Sequence, residues 1–271
     1  MSSAENLWTA WHAEHEKAFA ADLGWLTLTS YEWLNSEPDV LEEFPGVWHV
    51  SDDAVTATFA ETDGVERGGE PVVGDVVIDL PDEGSDMTLS QGTRHAEVIR
   101  RGGDYAVRVR DSQAQTFRDF EGIPTFDYDP DFTTSGVVVV QEPQRMSRGT
   151  ARQDLQDEAI VVAELHLELP EAKRSDTDSA ILALEGDLTG ELLLVFHDDT
   201  NGRETADWRY VPIRSPWYGE DAPAPGEARD VEIDFNYSLN FPSAYTPYGT
   251  CPRPLADNRI PLAIEAGERR P

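Results

Sequence analysis

EVIRRGGDYAVRVRD, residues 97–111, decides the class of fold. In its second half Arg alternates with Ala and Val, and Gly102, Gly103 and Asp104 lie between the two halves. Alternate residues of a β-strand point to opposite faces, and short loops containing Gly join antiparallel strands. The stretch therefore predicts a β-hairpin with charged side chains on one face and apolar side chains on the other.

Similar short apolar runs, separated by turns rich in Gly, Asp and Pro, recur from residue 48 onward, a spacing typical of antiparallel β structure. In the first half we predict strands at residues 48–50, 55–59, 72–80, 95–100 and 105–109. In the second half we predict strands at residues 137–140, 160–169, 180–184, 191–196, 208–212, 231–235 and 262–264. The polar runs 171–178 and 219–227 are expected to be solvated turns.

One helix is predicted at the amino terminus. Apolar and aromatic residues recur there at helical spacing, at Leu7, Trp8, Trp11, His15, Ala18 and Phe19. Ser2 or Ser3 can cap its start, and Gly24 follows its end. A second, short helical turn is predicted at Tyr31, Trp33 and Leu34, where Pro38 stops it. These aromatic side chains are expected to pack against a sheet, an interpretation favoured over a ligand-binding cage.

Together these patterns predict a mainly β protein. Residues 1–115 are expected to form an amino-terminal helix and a small antiparallel β-sandwich. Residues 116–271 are expected to form a second, larger β-sandwich or partly open barrel with a long carboxy-terminal loop. A single continuous core shared by both parts is the alternative.

The charge of the chain is strongly negative. Asp and Glu number 53 and Lys and Arg 21, which gives a formal net charge of −32, and Lys17 and Lys173 are the only lysines. Such a surface is typical of proteins kept soluble in concentrated salt, which screens the repulsion between carboxylates. The same charge predicts no binding to nucleic acid or to an anionic membrane surface.

The amino-terminal residues lack the basic and apolar runs of a signal peptide or membrane span, so a cytoplasmic location is expected. Cys251 is the only cysteine and cannot form an internal disulfide. No Cys and His spacing resembles a zinc site, and no metal ligands are predicted. The sequence leaves any cofactor and the oligomeric state open.

FHDDTNGRET, residues 196–205, is one of two segments dense in polar groups. Asp, Asn and Gly favour turns after strands, and this is the favoured interpretation. The functional alternative uses His197, Asp198 and Glu204 as a metal site or an acid and base. Strand alternation would place His197 and Asp198 on opposite faces, which weakens a shared role.

DFNYSLNFPSAYTPYGTCPRPLADNRIPLAIEAGE, residues 234–268, is the second polar segment. Asp234 and Asn236 lie two apart on a predicted strand and therefore face the same side. Asn240 and Asn258 come from the loop that follows. Cys251 lies in a strongly negative field that disfavours a thiolate, so a small buried hydrophobic role is expected for it.

The chain resembles the uncharacterised domain-of-unknown-function family number 1684. The matching pieces, in order, are GWLTLTSYEWL, VIRRGGDYAVRVRD, FRDFEGIPTFDYDP, FHDDTNGRET, Arg209-Tyr210, DFN, AYTPYGTCPRP, DNRIP and AIEAGE. The family pattern carries Tyr where this chain has Ala206 and a second Cys where it has Ser243. If the members share a function, the resemblance favours as its carriers Asp198, Thr200, Glu204, Arg209, Asp234, Asn236, Asn240 and Asn258.

Three functions are consistent with the sequence. The first is binding of a small polar ligand in a pocket between residues 198–204 and the carboxy-terminal loop, with Arg209 as a fixed positive charge. The second is a hydrolase in which two of Asp198, Glu204 and Asp234 act as acid and base or hold a divalent cation. The third is a structural or protein-interaction module that docks a partner on the sheet.

Overall fold

A computed structural model describes residues 2–169 and 179–271 of the protein. The chain divides into two compact units, and α1 (Ser3–Phe19) begins in one and ends in the other. The amino-terminal unit is Lys17–Glu121. The carboxy-terminal unit combines the first sixteen residues with Gly122–Pro271.

The amino-terminal unit contains ten strands and one short helix, α2 (Gln115–Arg118). The strands are β1 Leu28–Trp33, β2 Asp39–Val40, β3 Val47–Ser51, β4 Ala54–Phe59, β5 Glu66–Arg67, β6 Glu70–Pro71, β7 Gly74–Ile78, β8 Ser85–Gln91, β9 Arg94–Arg101 and β10 Asp104–Asp111. They form a sheet in the order β1-β10-β9-β8-β5-β6 and a second sheet in the order β2-β3-β4-β7. Apolar side chains from both sheets share one core, which includes Trp48, Phe59, Leu89, Val98 and Val107.

The predicted hairpin is confirmed as β9 and β10, which pair antiparallel with Arg108 opposite Glu97. Its charged face is buried as well, since Arg108 is 3% and Arg110 7% exposed. The Arg110 guanidinium donates to the Glu97 carboxylate at 2.8 Å and to the Gly24 carbonyl at 2.8 Å. The alternation therefore separates an apolar core from a second layer in which Arg108 and Arg110 are buried.

The carboxy-terminal unit contains one seven-stranded sheet. Its strands are β11 Thr133–Gly149, β12 Gln156–Glu168, β13 Ser179–Gly186, β14 Glu191–Phe196, β15 Arg209–Arg214, β16 Ala228–Asp234 and β17 Leu239–Asn240. Their order is β16-β11-β12-β13-β14-β15-β17, and each named strand pairs antiparallel with its neighbours. The core on this sheet is built from its inward-facing Val and Leu side chains, together with Phe196, Trp217, Phe235, Ile260 and Ile264.

The mainly β fold with an amino-terminal helix is confirmed. Over residues 2–169 and 179–271, none of the three sheets closes into a barrel. In α1 the Ser2 hydroxyl accepts the Glu5 amide at 3.1 Å, and the Glu5 carboxylate accepts the Ser2 amide at 2.9 Å. These two bonds form a capping box, so Ser2 is the cap. No helix in the described part of the chain combines the length and the apolar character needed to cross a membrane.

Two predicted elements are wrong. Tyr31 and Trp33 lie in β1 and not in a helical turn, because their backbone pairs with β10. Residues 262–264 do not form a strand, because their backbone groups bind loop and side-chain partners: the Leu262 carbonyl accepts the Asp199 amide, and the Ile264 carbonyl accepts Arg209.

β8 was not predicted, since its sequence SDMTLSQ is mostly polar. The turn predicted at 171–178 lies outside the described residues.

Candidate functional site

A buried ion pair lies at the start of β15, in the carboxy-terminal unit. The Nη2 atom of Arg209 is 2.9 Å from Oδ2 of Asp198, and neither side chain is exposed to solvent. The guanidinium also donates to the carbonyls of Ala266 at 2.6 Å and Ile264 at 2.7 Å. Burial lowers the pKa of Arg209, and the Asp198 carboxylate opposes this shift. Arg209 therefore holds the closing segment of the chain through its carbonyl groups.

Residues 198–205 form a bonded turn after β14. The Oδ1 atom of Asp198 accepts the Thr200 amide at 2.7 Å and the Thr200 hydroxyl at 2.5 Å. The hydroxyl groups of Thr200 and Thr205 are 2.7 Å apart, and both residues are buried. Glu204 is half-buried, and its carbonyl accepts the Arg270 amide at 2.9 Å. Asp198 thus uses both carboxylate oxygens to hold the turn and Arg209 together.

Asp234 and Asn236 form a second, separate group. β16 ends at Asp234, and Asn236 lies in the short helical turn that follows. The prediction that the two residues share a strand is therefore wrong. They meet because the Asp234 carboxylate caps this turn, accepting the Asn236 amide at 2.9 Å and its side-chain Nδ2 at 2.7 Å. The Asn236 side chain also exchanges two bonds with the backbone of Asp129, at 2.8 and 3.0 Å.

Asn258 connects two strands that diverge. β13 and β14 pair only at Glu185 and Gly186, and the same register would place Ala183 opposite Val195. There the Asn258 side chain accepts the Ala183 amide at 2.8 Å and donates to the carbonyls of Ala183 and Val195, each at 2.9 Å. One side-chain amide therefore replaces the missing strand pairing.

Asn240 and Cys251 are both buried. The Asn240 amide donates to the Glu268 carboxylate at 2.6 Å, and its Nδ2 donates to the Arg269 carbonyl at 2.8 Å. Cys251, the only cysteine of the sequence, is buried as the sequence predicts and forms no disulfide.

The eight predicted site residues thus fall into several groups, of which Asp198, Thr200 and Arg209 form one. The role of all eight residues in ligand binding stays a prediction. In residues 2–169 and 179–271, no set of three or more His, Cys, Asp or Glu side chains is arranged to hold a metal ion.

A cavity of about 230 Å³ lies beside the turn, still within the carboxy-terminal unit. Its lining residues are Ala151, Ala206, Asp207, Trp208, Phe241, Ser243, Ala244, Arg253, Arg270 and Pro271. Ala206 and Ser243 are the two positions at which the chain departs from the family pattern described above. The lining combines two aromatic rings with charged and hydroxyl groups, and it contains none of the eight predicted residues.

Two arginines that line the cavity are held in position by contacts with neighbouring groups. The Arg253 guanidinium lies 4.7 Å from the centre of the Trp208 ring, and its Nε donates to the Thr150 carbonyl at 2.8 Å. Arg270 is fixed by the bond from its amide to Glu204, and its Nη1 is 3.4 Å from the Gly202 carbonyl. The cavity therefore has positioned cationic groups on two separate segments of the chain.

A family model described as a protein of unknown function, DUF1684, matches residues 118–269. The chain belongs to the DUF1684 family. A solution structure of an uncharacterised protein from Haloarcula marismortui matches with 28% identity and a TM-score of 0.42, covering 56% of this chain and 78% of that one. No curated protein matches the sequence.

The DUF1684 match includes a buried carboxylate that the sequence did not single out. Glu268 is 1% exposed, and its Oε1 lies 3.2 Å from Nε2 of His15 in α1. Burial lowers the pKa of nearby His12, and the Glu268 carboxylate opposes this shift. Burial, followed by the charge of Glu268, raises the pKa of the phenols of Tyr210 and Tyr245.

The sequence contains one indication that Glu268 is buried, namely the glycine that precedes it in the motif AIEAGE. Gly267 has a φ of 73°, and a Cβ atom at this position would lie 2.5 Å from the Ser238 carbonyl oxygen. Only Gly allows that approach, which brings the Glu268 amide to 2.8 Å from the same oxygen. His12 and His15, three residues apart on one helix, were the second signal, because this spacing places them on the same face.

Proposed function

We propose that this DUF1684 protein binds a small polar molecule in the cavity beside the turn. The observation that carries the proposal is the lining itself, in which Trp208 and Phe241 supply apolar surface while Arg253 and Arg270 supply donors. Ligand sites generally combine a mainly apolar concave surface with a few placed polar groups. A volume of about 230 Å³ suits a metabolite of a few carbon atoms.

Three of the eight residues predicted from the sequence, Glu204, Arg209 and Asn240, support this site by bonding the closing segment that forms one of its walls. Arg209 binds three carbonyls of the closing segment, those of Ile264, Ala266 and Glu268. Asn240 binds the next carbonyl, that of Arg269. Arg270 follows directly and lines the cavity. These bonds fix the segment that carries one of the two cationic groups.

The protein is also proposed to be adapted to concentrated salt and to act in the cytoplasm, without a nucleic-acid or membrane partner. The net charge of −32 and the presence of only two lysines support this proposal. In molar salt the charge repulsion is screened within about 3 Å, so the acidic surface no longer opposes the compact state.

A ligand screen by thermal shift in molar KCl tests the proposal, because a ligand that binds only the folded protein raises its melting temperature. The decisive variant is Ala206→Trp, which fills the cavity. Its matched control is Ala256→Trp, at an exposed position that does not line the cavity.

We expect at least one small polar metabolite to raise the melting temperature of the wild type and of Ala256→Trp but not of Ala206→Trp. The proposal is wrong if no compound has an effect, or if the filled variant responds as the wild type does.

A further inference from the structure

Most arginines of this protein are neutralised by carboxylates. In the described part of the chain, ion pairs with N···O distances up to 4.0 Å join Arg to Asp or Glu throughout both units. With 53 acidic residues and 21 basic ones, a carboxylate partner is easy to supply. Five arginines of the described residues lack such a pair, namely Arg118, Arg214, Arg253, Arg269 and Arg270, and two of these five line one cavity.

Arg253 and Arg270 form no ion pair with any described residue, and both line the same cavity. Asp207 lines it too, yet its carboxylate is not within ion-pair distance of either guanidinium. The cavity thus holds two cationic groups whose charge is not neutralised by a neighbouring side chain.

The Arg253 guanidinium is already oriented for binding. Its face lies over the Trp208 ring and its Nε is occupied by the Thr150 carbonyl, whereas its Nη1 and Nη2 atoms have no partner in the described part of the chain. An oriented guanidinium presents two parallel N–H donors, the geometry that matches a carboxylate or phosphate. Because its position is fixed beforehand, little side-chain entropy is lost on binding.

Asp207 narrows the class of ligand further. A bare inorganic anion would be repelled by its carboxylate, whereas a ligand with a hydroxyl or amino group beside its acid group can donate to it. The Ser243 hydroxyl, also in the lining, can accept or donate. Trp208 and Phe241 cover the carbon skeleton of such a molecule.

We infer that the cavity binds a small organic oxyanion, a carboxylate or phosphate ester that also carries hydroxyl or amino groups, and that Arg253 and Arg270 bind its acid group. This inference rests on the proposed function and names the class of its ligand. Inorganic anions and neutral polyols fall outside that class.

Isothermal titration calorimetry in molar KCl with matched pairs tests the inference. The probes are D-glycerate and D-gluconate as acids, sn-glycerol 3-phosphate as the phosphate ester, glycerol and sorbitol as neutral analogues, and sodium sulfate as an inorganic anion. The variants are Arg253→Gln and Arg270→Gln. Arg269→Gln is the control, because Arg269 is exposed, stacks on Phe126 and does not line the cavity.

We expect at least one acid or phosphate ester to bind at least tenfold more tightly than its neutral analogue and than sulfate. Arg253→Gln and Arg270→Gln should each weaken its binding about tenfold, and Arg269→Gln less than twofold. Arg253→Lys separates charge from geometry, since it keeps the charge and loses the paired donors, so its affinity should fall between those of Arg253→Gln and the wild type. Melting curves confirm that each variant is folded.

Two results would overturn the inference in distinguishable ways. If glycerol or sorbitol binds as tightly as the acids and the arginine variants change nothing, the ligand class is wrong while the binding function stands. If no probe binds and the screen with Ala206→Trp also shows no response, the binding function itself is wrong.

Discussion

Arg209 and Arg253 lie in the same unit, and their surroundings are opposite. Arg209 is 0% exposed and is bound by one carboxylate and three carbonyl groups. Arg253 is exposed, stacked on Trp208 and bonded only through its Nε. The first arrangement leaves little capacity for a ligand, whereas the second leaves two donors available. A conspicuous cluster of polar residues can therefore be structural, while the binding groups lie beside it.

Salt is expected to have the largest effect, because it acts on the exposed carboxylates and not on the dry Arg209–Asp198 pair. The Debye length rises from about 3 Å at 1 M salt to about 30 Å at 0.01 M, so dialysis into dilute buffer restores repulsion across the surface. The protein should then lose its cooperative melting transition, as followed by circular dichroism. An unchanged melting temperature between molar KCl and dilute buffer contradicts the proposed salt adaptation.

The two arginines can be compared directly by the same substitution. Arg209→Met leaves the buried carboxyl group of Asp198 without its cationic partner, which costs about 3–5 kcal/mol of the free energy of unfolding. Arg253→Met removes an exposed cation–π contact, worth about 0.5–1 kcal/mol, and the bond from Nε to the Thr150 carbonyl, worth about 0.5–1.5 kcal/mol. Urea unfolding in molar KCl measures both. Equal losses for the two variants would remove the distinction between a structural and an available arginine.

Asn258→Ala tests whether Asn258, like Arg209, contributes to stability and not to ligand binding. It removes the side chain that joins Ala183 to Val195 and leaves buried backbone groups unsatisfied, at a cost of about 1–3 kcal/mol. Asp257→Ala, at an exposed neighbouring position, is the matched control and should change the free energy of unfolding by less than about 0.5 kcal/mol. A ligand response lost in Asn258→Ala with unchanged stability would instead make Asn258 part of the site.

A change of pH is expected to have the smallest effect on the stability of the protein. Burial lowers the pKa of His12 in the folded state, so below its ordinary value of about 6.5 the unfolded chain binds more protons than the folded chain. The stability that His12 contributes is therefore present above pH 6.5 and is lost as pH falls through this value towards the lower folded pKa. His12→Gln should flatten the melting temperature across this window. A slope that is the same in His12→Gln as in the wild type would contradict this prediction.

Much of the secondary structure was predictable because it depends on local pattern. The alternation in VIRR and YAVRVRD predicts the hairpin from local sequence alone, and a capping serine at residue 2 or 3 predicts the start of α1, where the structure shows that Ser2 is the cap. The turn at 198–205 follows from Asp, Thr, Asn and Gly in sequence. Tyr31 and Trp33 were assigned wrongly because their aromatic spacing suits a helix or a strand, and pairing with β10 decides between them.

The candidate site was predictable only in its neighbourhood. The sequence directed attention to the turn after β14 and to the closing segment, and the cavity lies beside both. Its lining residues, however, come from positions as distant as Ala151, Trp208 and Arg270, and although Ala244 and Arg253 lie in the segment AYTPYGTCPRP, no local pattern joins the whole lining. Arg253 can bind a ligand only because no carboxylate of the described residues pairs with it. Which carboxylates pair with which arginines depends on the folded structure and cannot be inferred from composition.

The sequence by itself determined the mainly β class, the amino-terminal helix, the DUF1684 family and the negative net charge. Periodicity and capping residues act locally, and the net charge is a sum over the chain. Only the tertiary structure decided which polar groups are already bonded and which are available. Arg209, Asn236 and Asn258 find their partners at residues far away in the chain. Hydrogen bonding between distant segments is set by how the strands and loops pack, and that packing separates the structural arginine from the two that line the cavity.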